Sequence, residues 1–171
     1  AQLGAIICPA NWRLSTAEFG TILDDFQPAV VFWQQEEVGE AVSAAHKAST
    51  AAANALWICI DDPLDEYETL LGGGSCDDAE ELIDPALPLM QIYTAAFGGK
   101  PQGALLSHSS ILQQSMLLGL LQNIDSDYIF LNSGPLFHIG AWMSAWPTFL
   151  FGGTNVFVRR VDPEELCQLI D

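Results

Sequence analysis

Short apolar runs alternate with longer amphipathic stretches along the whole chain, and this alternation limits the folds open to it. Strands are expected at 4–8, 29–33, 55–60, 89–94, 128–131 and 155–158. Helices are expected between them, at 15–26, 36–53, 63–71, 109–123, 139–151 and 162–170. Strands separated by helices need crossover connections, so the expected class is α/β: a mainly parallel β-sheet with helices on both faces. Strand cores such as 30–32 and 57–60 are apolar throughout, as they are when both faces are covered. Helix starts carry local signals. Ser15 and Glu18 have capping-box spacing, so Glu18 can reach back to the cap amide. Asp162, Pro163, Glu164 and Glu165 supply a cap, a proline at the first helical position and acids at the positive end of the dipole.

Charge narrows the partners. The 171 residues include 22 acidic and 5 basic side chains, a formal net charge of −17. Half the residues are apolar and only 16% are charged, which excludes a disordered acidic polymer. So few cations exclude extended binding to nucleic acid or to an anionic membrane surface. A small anion can still be held locally by backbone N–H groups and helix N-termini.

Two stretches, 103–124 and 128–158, carry no formal charge and are long enough to cross a membrane. The second is interrupted by Asn132, Ser133, Gly134, Pro135, His138, Pro147, Gly152 and Gly153. The first holds Ser107, His108, Ser109, Ser110, Gln113, Gln114 and Ser115, which are costly in lipid. Buried elements of a soluble fold are expected, with no transmembrane segment. The Gly-rich, acidic stretch at 72–78 reads as a solvated loop.

Cys8, Cys59, Cys76 and Cys167 show no CxxC pair and no zinc spacing, and three of them have the apolar surroundings of small buried hydrophobes. The three histidines lack metal-ligand spacing, so no metal site is expected, and His46 beside Lys47 reads as solvated. The expected compartment is the cytoplasm. The sequence opens on an apolar run without an initiator methionine or basic leader and closes inside helix-like sequence. From those ends one expects a piece of something larger, with exposed apolar surface through which it self-associates.

The segment 92–108 carries the chemistry. A strand ends at Thr94 and a Gly-rich turn follows, where Gly98, Gly99 and Gly103 can take positive φ or admit a ligand to the backbone. Successive N–H groups there can cradle a phosphate, with Lys100 adding charge. The GxxxxGK[ST] and GxGxxG spacings are absent, and the residues by themselves favour a plain Gly/Pro hairpin turn. Ser107 and His108 are expected to end the hairpin and cap the next helix. His138, between Phe137 and Ile139, is by itself an ordinary core histidine. Trp142 lies one turn further on, where a shared face with His138 and plain core packing are both open. No GxSxG elbow exists and no cysteine has positive surroundings, so serine-hydrolase and cysteine-nucleophile chemistry are excluded.

Tyr93, Thr94, Gly99, Lys100, Pro101, Gln102 and Gly103, followed by Ser107 and His108, resemble in order the phosphate-loop signature of AMP-forming acyl-CoA synthetases, the adenylate-forming family. That signature reads T-S-G-T-T-G-x-P-K-G-V and then S-H. Upstream, Pro9, Asn11, Arg13, Leu14 and Ser15 resemble the family's P-x-N-x-R-L-S segment. Downstream, Pro135, Leu136, Phe137, His138 and Gly140 resemble its Pro-Leu-Phe-His-and-glycine motif, and 152–156 with 162–166 resemble its next strand and helix. The resemblance covers essentially the whole chain.

That resemblance implies an incomplete piece of the adenylate-forming N-terminal domain: a single partial domain with α/β segments at 1–88 and 109–171 around a phosphate-loop hairpin at 89–108. It implies an acid–CoA ligase that converts a fatty or other carboxylic acid, with ATP, to an acyl-adenylate and passes the acyl group to CoA. Thr94, Gly98, Gly99, Lys100, Gln102 and Gly103 would then hold nucleotide. His138 would be catalytic, with Phe137, Gly140 and Trp142 lining the acyl pocket. Mg²⁺ is implied with ligands outside this chain. In the loop, Ala95 and Ala96 replace Ser and Gly, Phe97 and Gly98 replace the hydroxyl pair, and Gln102 stands at the usual lysine position. The family's adenine, Mg²⁺ and ribose motifs and its catalytic lysine are not among these residues, so the chain alone is expected to be inactive. The alternative is a non-catalytic acyl- or nucleotide-binding or assembly module whose loop has decayed.

Overall fold

The computed structural model describes residues 2–62, 66–74, 82–94 and 99–170. The expected helix start at 63–65, Cys76 and the loop residues 95–98, Gly98 among them, lie outside these. The described elements run α1 (Thr16–Phe26), β1 (Val30–Trp33), α2 (Gln35–Ala48), a 3-10 turn (Ala51–Asn54), β2 (Leu56–Cys59) and α3 (Glu66–Gly72). They continue with β3 (Pro88–Tyr93), β4 (Gly103–Ser107), α4 (His108–Gln122), β5 (Ile129–Asn132), α5 (Ile139–Leu150), β6 (Thr154–Phe157) and α6 (Pro163–Ile170).

The α/β expectation holds. β1 and β2 pair in parallel, with Val30 opposite Leu56, across the α2 connection. β5 and β6 pair in parallel, with Ile129 opposite Thr154, across α5. β3 and β4 are also neighbours. Thr94 N–H donates to the Gln102 carbonyl (3.0 Å) and His108 N–H to that of Leu87 (3.1 Å), which makes this pair an antiparallel hairpin. The strand expected at 4–8 is reduced to one parallel bridge, Ile7 with Met90. The apolar strands are not evenly covered, since Val30, Phe32, Leu56 and Ile129 are exposed.

The chain divides into two compact units. The second unit comprises Ala10–Glu80 and Tyr93–Ala104. Its entry is built locally. Asn11 turns the chain by accepting from the Arg13 N–H (3.0 Å), and the Arg13 guanidinium lies 4.8 Å from the Trp12 ring. Ser15 caps α1 with Glu18 in the expected capping box. Hydrogen bonds from the Ser15 hydroxyl and then the Ser15 amide hold the Glu18 carboxyl below its usual value. Leu23 and Ala45 are buried together, with Phe19, Val31 and Trp57 against them. His46 is not simply solvated: its ring stacks on Trp57, centroids 4.2 Å apart. One turn of helix and a parallel strand bring the two rings together, which no local pattern announces.

The first unit comprises Ala1–Pro9, Glu81–Ile92 and Leu105–Asp171. Leu89, Met90, Ile92 and Ile111 form its buried cluster, with Leu106, Trp142 and Trp146 packed on it. A Cβ on Gly119 of α4 would collide with the Phe151 ring, so glycine is what allows that ring to close on the helix. Pro147 sits inside α5 and removes the hydrogen bond due to the Met143 carbonyl. Gln114 of α4 supplies the missing donor through Nε2 (3.4 Å). Cys59 is buried as expected, but Cys167 is exposed on α6. Among the described residues, no helix is long and apolar enough to cross a membrane.

Candidate functional site

The hairpin loop is anchored at its mouth. Thr94 bonds Gln102 twice: its N–H donates to the Gln102 carbonyl, and its Oγ1 accepts from the Gln102 N–H (3.4 Å). Gly99 adopts φ +141°, where only glycine sits without strain, and no described residue lies within 4 Å of where a side chain would begin. Lys100 and Gln102 are exposed. Gly103 does not take positive φ; it begins β4, where strand geometry suits any residue. Ser107 caps α4, accepting from the Ser110 N–H (3.2 Å), which is the capping role expected of it.

His138 lies in the other unit, at the N-cap of α5. Its Nδ1 accepts from the Gly140 N–H (3.1 Å), a geometry that needs the Nδ1 lone pair and leaves the ring proton on Nε2. The segment leading to it is fastened at several points. The His138 N–H donates to the Pro135 carbonyl (2.9 Å), and Trp142 Nε1 donates to the Leu136 carbonyl (2.6 Å). Trp142 also stacks on Trp146, centroids 5.2 Å apart, so the ring packs onto the core as well as standing one turn from His138. Phe137 is half-buried and Gly140 exposed. Thus the structure brings Thr94 to Gln102, and separately His138 to Gly140 and Trp142. These two groups belong to different units.

Two contributors escaped the sequence reading. Asn132, 2% exposed, donates from Nδ2 to the Ala141 carbonyl (3.1 Å) and accepts at Oδ1 from the Gly134 N–H (3.3 Å). It ties the end of β5 to the first turn of α5 and so sets the path of 133–138. An Asn before Ser133, Gly134 and Pro135 is the turn signal that could have shown it. The second is Tyr93, whose hydroxyl donates to Asp25 Oδ2 (2.6 Å). An open cavity of about 320 Å³ in the second unit is lined by Asp24, Gln27, Thr50, Ala51 and Asn54, none of them among the expected site residues. Among the described residues no group of three His, Cys, Asp or Glu could hold a metal ion. Burial and the adjacent Asp61 carboxylate push the Cys59 thiol up, away from the reactive thiolate.

A hairpin closed by Thr94 and Gln102 and a helix capped by His138 follow one another along α/β units. The profile of AMP-binding enzymes matches residues 1–171. Indoleacetate–CoA ligase of Aromatoleum aromaticum is 31% identical over 176 residues, covering all of this chain and 34% of that protein. Among solved structures, the inhibitor-bound N-terminal domain of FACL13 from Mycobacterium tuberculosis superposes with a TM-score of 0.87 at 23% identity, covering 99% of this chain and 42% of that one. ATP-bound MatB from Rhodopseudomonas palustris gives 0.83 at 20% identity, covering 99% and 33%. The chain belongs to the AMP-binding enzyme family. It spans about a third of the length of the curated relatives it matches.

Proposed function

We propose that this chain is the phosphate-loop-bearing part of an AMP-forming acid–CoA ligase. A fatty or other carboxylate attacks the α-phosphorus of ATP in line, the bond from that phosphorus to the bridging oxygen breaks, and pyrophosphate leaves. The CoA thiol then attacks the acyl carbonyl, forming the thioester and releasing AMP. In the nucleotide loop, Gly98, Gly99, Lys100 and Gly103 hold the phosphates through backbone N–H groups and the Lys100 ammonium, while Thr94 and Gln102 close the loop mouth through their mutual bonds. His138 meets the reacting carboxylate, its Nε2 proton available to an anionic oxygen while Nδ1 caps α5. Phe137, Gly140 and Trp142 line the acyl side. Mg²⁺, if held by residues outside this chain, would supply charge neutralisation at the phosphates. In this reading the 171 residues are one partial domain of a cytoplasmic enzyme, inactive and self-associating when alone.

The observation that carries this reading is the family match over every residue, joined to a hairpin closed by Thr94 and Gln102 with Gly99 at positive φ between them. The test is ATP–pyrophosphate exchange with fatty acids and, prompted by the indoleacetate relative, aryl acids. The longer polypeptide containing this chain is expected to exchange with at least one acid, and the chain alone with none. Exchange by the chain alone overturns its inactivity. No exchange by the longer polypeptide with any acid overturns the ligase reading. A second reading, a non-catalytic binding or assembly module, is favoured by Ala95, Ala96, Phe97 and Gln102, which replace the hydroxyls and cation that hold phosphates in the family.

A further inference from the structure

The last turn of α1 carries two adjacent carboxylates, Asp24 and Asp25, and no basic residue. Carbonyls at a helix C-terminus repel anions, so local helix energetics do not explain the pair. Each is instead met by a hydroxyl from elsewhere in the second unit. Ser49 Oγ donates to Asp24 Oδ1 (2.6 Å), and Tyr93 OH donates to Asp25 Oδ2 (2.6 Å) across 68 residues of sequence. Short O–H bonds to a carboxylate are among the stronger hydrogen bonds in proteins.

The place of the second bond gives it meaning. Tyr93 is the last residue of β3, and the next residue, Thr94, makes the paired bonds to Gln102 that close the loop mouth. The α1 carboxylate therefore fixes the chain one residue before the loop begins. We infer that Asp25 is a positioning residue for the hairpin loop. Acting through the Tyr93 hydroxyl, it holds the end of β3 so that the Thr94–Gln102 pair stays closed and the amides from Gly99 to Gly103 keep their place beside it. The functional side of this inference rests on reading the loop as a phosphate-binding one.

Amide hydrogen exchange and an ATP titration, both followed by NMR on the labelled chain, test the two parts separately. Removing either partner, by Asp25→Ala or Tyr93→Phe, is expected to speed exchange at the Thr94 amide about tenfold and to weaken ATP binding at the Gly99, Lys100 and Gly103 amides about tenfold. The double variant is expected to be no worse than either single one, because one bond is lost in each case. Asp25→Asn keeps an oxygen that accepts from the hydroxyl and is expected to restore most of both effects. Exchange in α5 stays unchanged, which separates a local effect from unfolding. Tip amides of the unmodified chain that ignore ATP overturn the phosphate-loop reading and the functional side of this inference with it. An Asp25→Ala chain that binds ATP as well as the unmodified chain, or variants whose effects add, overturn the inference alone.

Discussion

Asp61 lies two residues beyond β2, yet it caps α2. The helix's own N-cap residue, Gln34, makes no side-chain cap bond, and the Asp61 carboxylate accepts from the Gln35 N–H (2.6 Å) and the Glu36 N–H (2.9 Å) instead. Those two backbone bonds, Gln35 first, hold its carboxyl below the usual 3.8. A carboxyl depressed in the folded state adds stability above its unfolded value, and that stability is lost as pH falls through the folded value. Urea midpoints of the chain and of Asp61→Ala should therefore lie apart at neutral pH and converge as pH drops below 3.8. A gap independent of pH would show that the cap works without its charge. Cys59 donates to the same carboxylate (3.1 Å) and is held as a thiol, raised above 9.0 by burial first and then by that bond. Iodoacetamide at pH 8 should label exposed Cys167 more than about tenfold faster than Cys59 in the folded chain. Equal rates would contradict the raised thiol.

Among the elements, helix and strand limits were legible wherever their causes are local. Ser15 with Glu18, Ser107 before α4, and Asp162 accepting from the Glu164 and Glu165 N–H groups all act within three residues, so the pattern of residues shows them. The Asp61 cap, the His46–Trp57 stack and the Tyr93–Asp25 bond were not legible, because each joins residues far apart in sequence. The expected site divides in the same way. The positions of Thr94, Gly99 and His138 follow from motif order, and the local half of Asn132's role, its bond to the Gly134 N–H, has a turn signal, whereas its bond to Ala141 and the Asp25–Tyr93 bond appear only once strands and helices are packed. Pro147 is the clearest element-scale case. Read alone it breaks α5, yet the helix runs through it because Gln114 of α4 meets the orphaned Met143 carbonyl. Gln114→Leu should lower stability by about 1 kcal/mol, the net worth of a typical hydrogen bond. Met90→Ala, at a fully buried position, should cost about 2–5 kcal/mol. Urea unfolding measures both, and a Gln114→Leu chain as stable as the parent would mean the carbonyl is satisfied some other way.

At the scale of the whole molecule, two surface properties oppose each other. A net charge of −17 drives copies apart, while α4 has no charged residue and exposes Leu112, Met116, Leu117, Leu120 and Leu121, each about half or more accessible. Exposed apolar side chains of this extent on one helix mark an interaction surface. The self-association proposed above would set the same face of a second copy against it. Charge repulsion is screened by salt and the apolar attraction is not, so association should strengthen from low to moderate ionic strength. Sedimentation velocity at low salt and again near 0.15 M should show the larger species growing. Leu117→Gln with Leu121→Gln, both outward on α4, should return the chain to a monomer without changing its urea midpoint. A single monomeric boundary at both ionic strengths would mean that the electrostatic term dominates and that the α4 face, although apolar, is too small to hold two copies together.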